Sequence, residues 1–385
     1  MDPVPILQDL IRCRSVTPAE GGALRYLEQL LQTSGFRTVR LPFSEPGTAD
    51  VDNLYARFGS ERPHLCFAGH SDVVPPGRDS DWTHPPFGGA LADGQVWGRG
   101  AVDMKGSIAA FAAAVLPLAA AGRLNGSVSI LITGDEEDAA INGTAKALGW
   151  MRHNGEVPDH CLVGEPTSRE QLGDGVKIGR RGSVHFELTA IGRQGHVAYP
   201  ESVINPVHLL ARMVDRLHSE PLDQGNDWFG PSTLQCVTAD TGNPAGNLVP
   251  ARATARFNIR FNTLQTPESL VAWMRQRCDK VVAELGGSYT LESRTHSHAF
   301  RTDAGPLVAV VTAAIEERTG IVPLVNTFGG TSDARFIKDL CPVVEFGPVG
   351  RTIHQVDERI SVEELQALTH IYRDILERYF TVFRA

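Results

Sequence analysis

The chain has 385 residues in ordinary globular proportions, 42% apolar and 21% charged, which is enough for two domains and a sizeable core. Its formal charge is −9, from 36 basic and 45 acidic side chains, and the basic ones are scattered, which argues against a nucleic-acid partner. The N-terminal Met-Asp-Pro-Val-Pro lacks the basic and apolar regions of a secretion signal, and the longest small-apolar run, 108–121, is too short to span a bilayer. A cytoplasmic protein with no membrane partner is therefore expected. The cysteines at 13, 66, 161, 236, 278 and 341 form no Cys-x-x-Cys pair and read as free thiols, several of them buried in strands.

Asp2-Pro3 reads as a cap and first-turn proline opening an amphipathic helix, and a second helix over about 20–34 stops at Ser34-Gly35. Strands are expected at 36–41, 53–58 and 64–69, then a helix ending near 121 and a fully apolar strand at 128–133. A further helix leads to a strand at 161–163. This alternation indicates an α/β fold with a mostly parallel sheet.

The texture changes near 182. Val184, Phe186, Leu188 and Ala190 alternate with polar residues, as in a strand with one wet face. A helix to about 218, strands at 232–239 and 252–262, a helix to about 285 and a strand at 288–293 follow. The order βαββαβ is that of a ferredoxin-like α+β unit. The expected division is a discontinuous catalytic domain, 1–181 and 295–385, with an inserted domain at 182–294. The first texture then returns, with a helix from Pro306 and a capping box at Ser361 to Glu364 before the last helix.

Chemistry concentrates where strands end. His70 and Asp72 are two apart, so they project together from the end of a strand. Asp103, Glu136 with Glu137, Glu165 and His354 also stand within a few residues of a glycine at strand-to-loop junctions. Histidines and carboxylates suit zinc. Charge balance favours two ions, which three carboxylates and a hydroxide neutralise, over one that they would over-neutralise. Of the adjacent Glu136 and Glu137, one is expected to coordinate while the other moves a proton. Asp72 is placed to accept a hydrogen bond from the His70 imidazole and fix its tautomer.

The strings GHSDVVP, WGRGAVDMKG, ITGDEED, LVGEPT, GRRGS, GHVAYP, GGTSDARF and FGPVGRTIH run through nearly the whole chain. Together they resemble the dinuclear-zinc aminoacylase and carboxypeptidase family. The resemblance implies two zinc ions per subunit, with cobalt or manganese as an alternative in one site. It makes His70 and Glu165 ligands of one ion, Glu137 and His354 ligands of the other, and Asp103 the bridge. Glu136 becomes the general acid/base and Asp72 the partner of His70. A homodimer through the inserted domain is implied, with His196 stabilising the oxyanion in the other subunit's site.

For the carboxylates of an anionic N-acyl amino-acid substrate, the resemblance points to Lys177, Arg180, Ser183, Tyr199, Asn247, Arg260, Gly330 and Thr331. GRRGS and GGTSDARF are the more particular strings. They imply hydrolysis of N-succinyl-LL-2,6-diaminopimelate, on the route to diaminopimelate and lysine. Acetylornithine deacetylation, aminoacylase or carboxypeptidase activity within the family is the alternative.

Overall fold

Residues 1–303 and 305–384 are described by a computed structural model. In chain order its principal strands are β1 (Arg37–Arg40), β2 (Leu54–Phe58), β3 (His64–His70), β4 (Ser127–Thr133), β5 (His160–Val163) and β6 (Gly175–Lys177). They continue with β7 (Gly182–Ile191), β8 (Thr233–Asp240), β9 (Arg252–Phe261), β10 (Ser288–Ser297), β11 (Leu324–Asn326) and β12 (Val343–Glu345). The chain divides into two units, one of Met1–Ile178, Thr302–Asn326 and Ser332–Ala385, the other of Gly179–Arg301 and Thr327–Thr331.

The first unit is built on an eight-stranded sheet in the order β1-β2-β4-β3-β5-β12-β6-β11. Its centre is parallel: β3 runs with β4 and β5, and β5 with β12. Every residue of β3 and β4 is buried, which explains why they are apolar on both faces apart from His64, Ser127 and Ser129 and the residues that end them. The helix Lys105–Ala120 is apolar on all sides and buried almost throughout, as a helix enclosed by other elements must be. Phe67 of β3 stacks on Phe111 of that helix at 4.1 Å between centroids, and Tyr372 of the helix Val362–Val382 meets both rings edge-on. Ser361 caps that last helix by accepting the Glu364 N–H at 3.0 Å. The reciprocal half of the expected box is not made, because Glu364 accepts the Val349 N–H instead.

The second unit has the order βαββαβ, with its four strands arranged β8-β9-β7-β10, all neighbours antiparallel. Counting strands within the unit, that is 2-3-1-4, the ferredoxin-like arrangement. Helices Pro206–His218 and Pro267–Leu285 cover one face, where Leu209, Met213, Leu270 and Met274 pack on Phe186, Leu188, Phe257 and Ile259. The unit is wider than 182–294. Gly179–Arg180 pairs with Phe300–Arg301, and the Thr327 hydroxyl donates to the Trp228 carbonyl at 2.5 Å, which joins the loop 327–331 to it. Two-residue ladders and a single tethering hydroxyl leave no periodic pattern in a sequence.

Candidate metal centre

Because β3, β4 and β5 are parallel, their C-terminal ends lie at one edge of the sheet, where α/β folds place their sites. There β3 ends on His70, β4 leads into Glu136 and Glu137, and β5 leads into Glu165. Two glycines let the segment holding Asp103 come close. A Cβ at Gly69 would lie 2.6 Å from Met104 Cε, and one at Gly164 would lie 2.6 Å from Phe67 Cζ and 2.8 Å from Ser107 Cβ. Each glycine precedes a charged or ionisable residue of the cluster, so the bare backbone allows the contact while its neighbour supplies the chemistry.

Two groups of donors result, His70–Asp103–Glu165 and Asp103–Glu137–His354, with the atoms of each group within 4.8 Å of one another. Asp103 belongs to both. Its Oδ1 lies 3.2 Å from His70 Nε2, and its Oδ2 lies 3.3 Å from His354 Nε2. Glu165 Oε1 is 3.8 Å from His70 Nε2, and Glu137 Oε1 is 2.9 Å from His354 Nε2. One carboxylate thus faces two histidine–glutamate pairs, one with each oxygen.

The donor set fits divalent ions. His70 Nδ1 donates to the Asp72 carbonyl oxygen at 2.9 Å, so the lone pair of Nε2 is the one aimed into the cluster. This corrects the expected role of the Asp72 side chain. The strand ends at His70, and the chain turns so that the backbone carbonyl of Asp72, not its carboxylate, fixes the tautomer. The carboxylate stands 3.6 Å from Nδ1 and accepts the N–H groups of Glu136 at 3.4 Å and Glu137 at 3.1 Å. Asp72 therefore ties the loop after β4 to the end of β3.

The electrostatics follow from crowding. Burial disfavours a charged His70, but the Asp103 and Asp72 carboxylates outweigh it and hold the imidazole pKa well above its ordinary value. Hydrogen bonds to Asp103 and Glu137 raise His354 to about 10 against the effect of burial. Burial opposes ionisation of Asp103, yet His354 and His70 hold its pKa below the usual carboxylate range. Glu136 goes the other way: burial raises its pKa well above normal, His70 opposes this, and Glu165, Asp333 and Glu137 add to it. Protons and divalent cations therefore compete for the imidazole nitrogens of a strongly acidic cluster.

Asp333 was not foreseen. It is 5% exposed, and its carboxylate accepts the hydroxyls of Thr133 at 3.1 Å and of Thr144. Its place inside GGTSDARF was the available signal, but that string pointed to its neighbours.

Lys177 ends β6 in the first unit, opposite Asn326 of β11. Most of the other expected anion-binding residues lie in the second unit. Arg180 is buried and donates to the Gly330 carbonyl at 3.0 Å. Ser183 and Arg260 are register partners on β7 and β9, and both bond to Asn258, at 3.2 and 3.1 Å. Arg260 is pushed below the usual guanidinium pKa by burial and by Arg181, whose Nε is buried with no hydrogen-bond partner among the described residues. Two guanidiniums held together in this way suit an anion. Thr331 is half-buried, while Tyr199 and Asn247 are exposed; the Asn247 carbonyl accepts the Val197 N–H at 3.1 Å. His196 is exposed, and its Nδ1 accepts the Ala198 N–H at 3.1 Å, which leaves Nε2–H as an outward donor.

Residues 66–378 match the family model described as peptidase family M20/M25/M40. The chain is 56% identical over 380 residues to the succinyl-diaminopimelate desuccinylase of Rhodospirillum centenum, covering 98% of this chain and 97% of that protein. An aminopeptidase from Bacillus cereus shares the fold with a TM-score of 0.79 at 20% identity, over 98% of this chain and 97% of its own. A dinuclear metal-binding peptidase of the M20 family from Bacillus subtilis does so with a TM-score of 0.73 at 15% identity, over 98% of each chain.

Proposed function

The chain belongs to peptidase family M20/M25/M40, and from that premise we propose that it is a two-metal amidohydrolase acting on N-succinyl-LL-2,6-diaminopimelate, releasing succinate and LL-2,6-diaminopimelate. The observation that carries the chemistry is the Asp103 carboxylate, whose two oxygens face different histidine–glutamate pairs. His70, Asp103 and Glu165 would hold one ion, and Asp103, Glu137 and His354 the other. Zinc suits these nitrogen and oxygen donors, with cobalt or manganese as the alternative in one site. When bound, the ions supply acidified water and Lewis acidity toward the amide carbonyl.

Glu136 does the proton work. It lies beside the ligands without belonging to either group, so its carboxylate is left free to exchange a proton. It takes a proton from the attacking water and returns it to the leaving amine. Arg180, Ser183, Arg260 and the loop at Gly330 and Thr331 bind the substrate's carboxylates, with Lys177, Tyr199 and Asn247 completing the set. His196 offers Nε2–H to the oxyanion in the site of a second copy, in a homodimer formed through the inserted unit. As a biosynthetic enzyme the protein would work in the cytoplasm.

Steady-state turnover of N-succinyl-LL-2,6-diaminopimelate, N-acetylornithine and simple acyl amino acids tests the substrate. The succinyl compound should exceed the others in kcat/KM by about 100-fold or more, because buried polar groups penalise substrates that leave them unpaired. Preference for either rival would defeat the substrate assignment and leave the hydrolytic chemistry standing.

A further inference from the structure

Two loops that carry donors of the metal centre spring from one small antiparallel ladder, Gln95–Trp97 against Arg359–Ser361. The first leaves Trp97 and reaches Asp103; the second carries His354 and enters Arg359. Between them lies an ion pair that no sequence expectation singled out. Arg99 and Glu358 are 2% and 0% exposed, and Arg99 Nη1 meets Glu358 Oε2 at 2.8 Å.

The Glu358 carboxylate gathers the first loop. Its Oε2 accepts the Gly100 N–H at 3.0 Å, and its Oε1 accepts those of Val102 at 2.8 Å and Asp103 at 3.1 Å. Arg99 gathers the second loop. Its Nη1 also donates to the Gln355 carbonyl at 3.1 Å, and its Nη2 to the His354 carbonyl at 3.4 Å. The guanidinium is fixed from another side by the Trp82 ring, 5.2 Å from its carbon to the ring centroid.

His354 has φ of 59°, and Asp357 in the same turn has φ of 63°. Side-chain-bearing residues hold that left-handed conformation only where their surroundings impose it. Arg99 supplies part of that constraint at His354. The Asp357 carboxylate anchors the same turn by accepting the Thr83 N–H and hydroxyl, both at 2.7 Å. A buried ion pair is a poor source of stability, since apolar residues of the same size serve as well. What it provides here is a fixed relation between two loops.

We propose that Arg99 and Glu358 are positioning residues for the metal centre, a buried strut that sets Asp103 against His354 and thereby the affinity for the ion held by Asp103, Glu137 and His354. The inference rests on the two-metal reading above. Charge-assisted hydrogen bonds to the backbone on either side of two donor residues are what such a device requires. Loss of an outer contact of this kind lowers metal affinity by about 10–100-fold.

The test is zinc titration of the metal-free protein against a chromophoric chelator, for wild type, Glu358→Gln and Arg99→Lys. The control is Glu156→Gln, which breaks a different ion pair, Arg57 to Glu156 at 2.7 Å, away from both loops. Both strut variants should bind the ion held by Asp103, Glu137 and His354 about 10–100-fold more weakly and the other, which shares Asp103 but not His354, less so. Excess zinc should restore turnover, and the control should lose thermal stability with both affinities unchanged. Should Glu358→Gln not fold, Arg99→Lys, which keeps the cation, decides. Wild-type affinity for both ions in the strut variants, or equal weakening of both ions, would overturn the proposal. Fewer than two ions in the wild type would instead overturn the two-metal reading on which it rests.

Discussion

Strand β3 begins and ends on a histidine, and both residues are 1% exposed, yet the two ends have opposite chemistry. His64 Nε2 meets the Ser129 hydroxyl at 2.8 Å, and burial, with Arg57 adding to it, lowers its pKa to about 4. It is a neutral core residue. His70 is no less buried, but Asp103 and Asp72 raise its pKa well above normal. Burial alone therefore does not make a functional histidine. The difference lies in which edge of the sheet each occupies. Where β3, β4 and β5 finish together, His70 meets the Asp103 and Asp72 carboxylates. At the other end, burial and Arg57 outweigh the Glu156 carboxylate that acts on His64.

Four substitutions or treatments would break or sharpen that contrast. The largest effect is expected at the carboxylate end of the sheet. Glu136→Gln should lower kcat by about 10³–10⁴-fold while two ions stay bound, measured by turnover alongside metal content. Wild-type-like turnover would remove Glu136 from the mechanism. Removing the ions with a chelator should cost about 4 kcal/mol of stability relative to protein held at about 1,000 times the dissociation constant, read as a fall in Tm. An unchanged Tm would mean the acidic cluster is satisfied without cations.

At the other end of β3 the effect is one of pH. The folded pKa of His64 is depressed below its unfolded value of about 6.5, so its contribution is fully present above pH 6.5. As the pH falls from there toward 4, the unfolded chain takes up a proton that the fold refuses, and up to about 3 kcal/mol is lost. His64→Gln should flatten that part of the denaturation profile and leave turnover within about twofold, since His64 stands at the opposite end of β3 from the donor cluster. The smallest effect is expected at Asp72→Asn, about 10–100-fold in metal affinity, because it disturbs the Glu136 and Glu137 amides while the His70 tautomer stays fixed by a backbone carbonyl.

Much of this was legible in the sequence because the relevant residues sit at the ends of strongly patterned strands. The apolar runs before His70, Gly134 and Gly164 mark β3, β4 and β5, and strand ends are where α/β sheets act. The alternation from Val184 to Ala190 likewise revealed the second sheet. What was hidden depends on contacts far apart in the chain or on the backbone. Asp72 two residues after His70 suggested a side-chain hydrogen bond, but the turn out of β3 gives that bond to the carbonyl. Arg99 and Glu358 are 259 positions apart and carry no periodic signal; only the small ladder beside them brings them together. Asp333 has no pattern of its own within GGTSDARF; its role depends on Thr133 and Thr144, 200 and 189 positions away.

The central claim is that one edge of the sheet holds two ions through a shared Asp103, and zinc titration of the metal-free protein tests it most directly. Wild type and His64→Gln should each bind two ions per chain, and His70→Ala should keep only the one held by Asp103, Glu137 and His354. A single ion in the wild type, or two undisturbed ions in His70→Ala, would contradict the account.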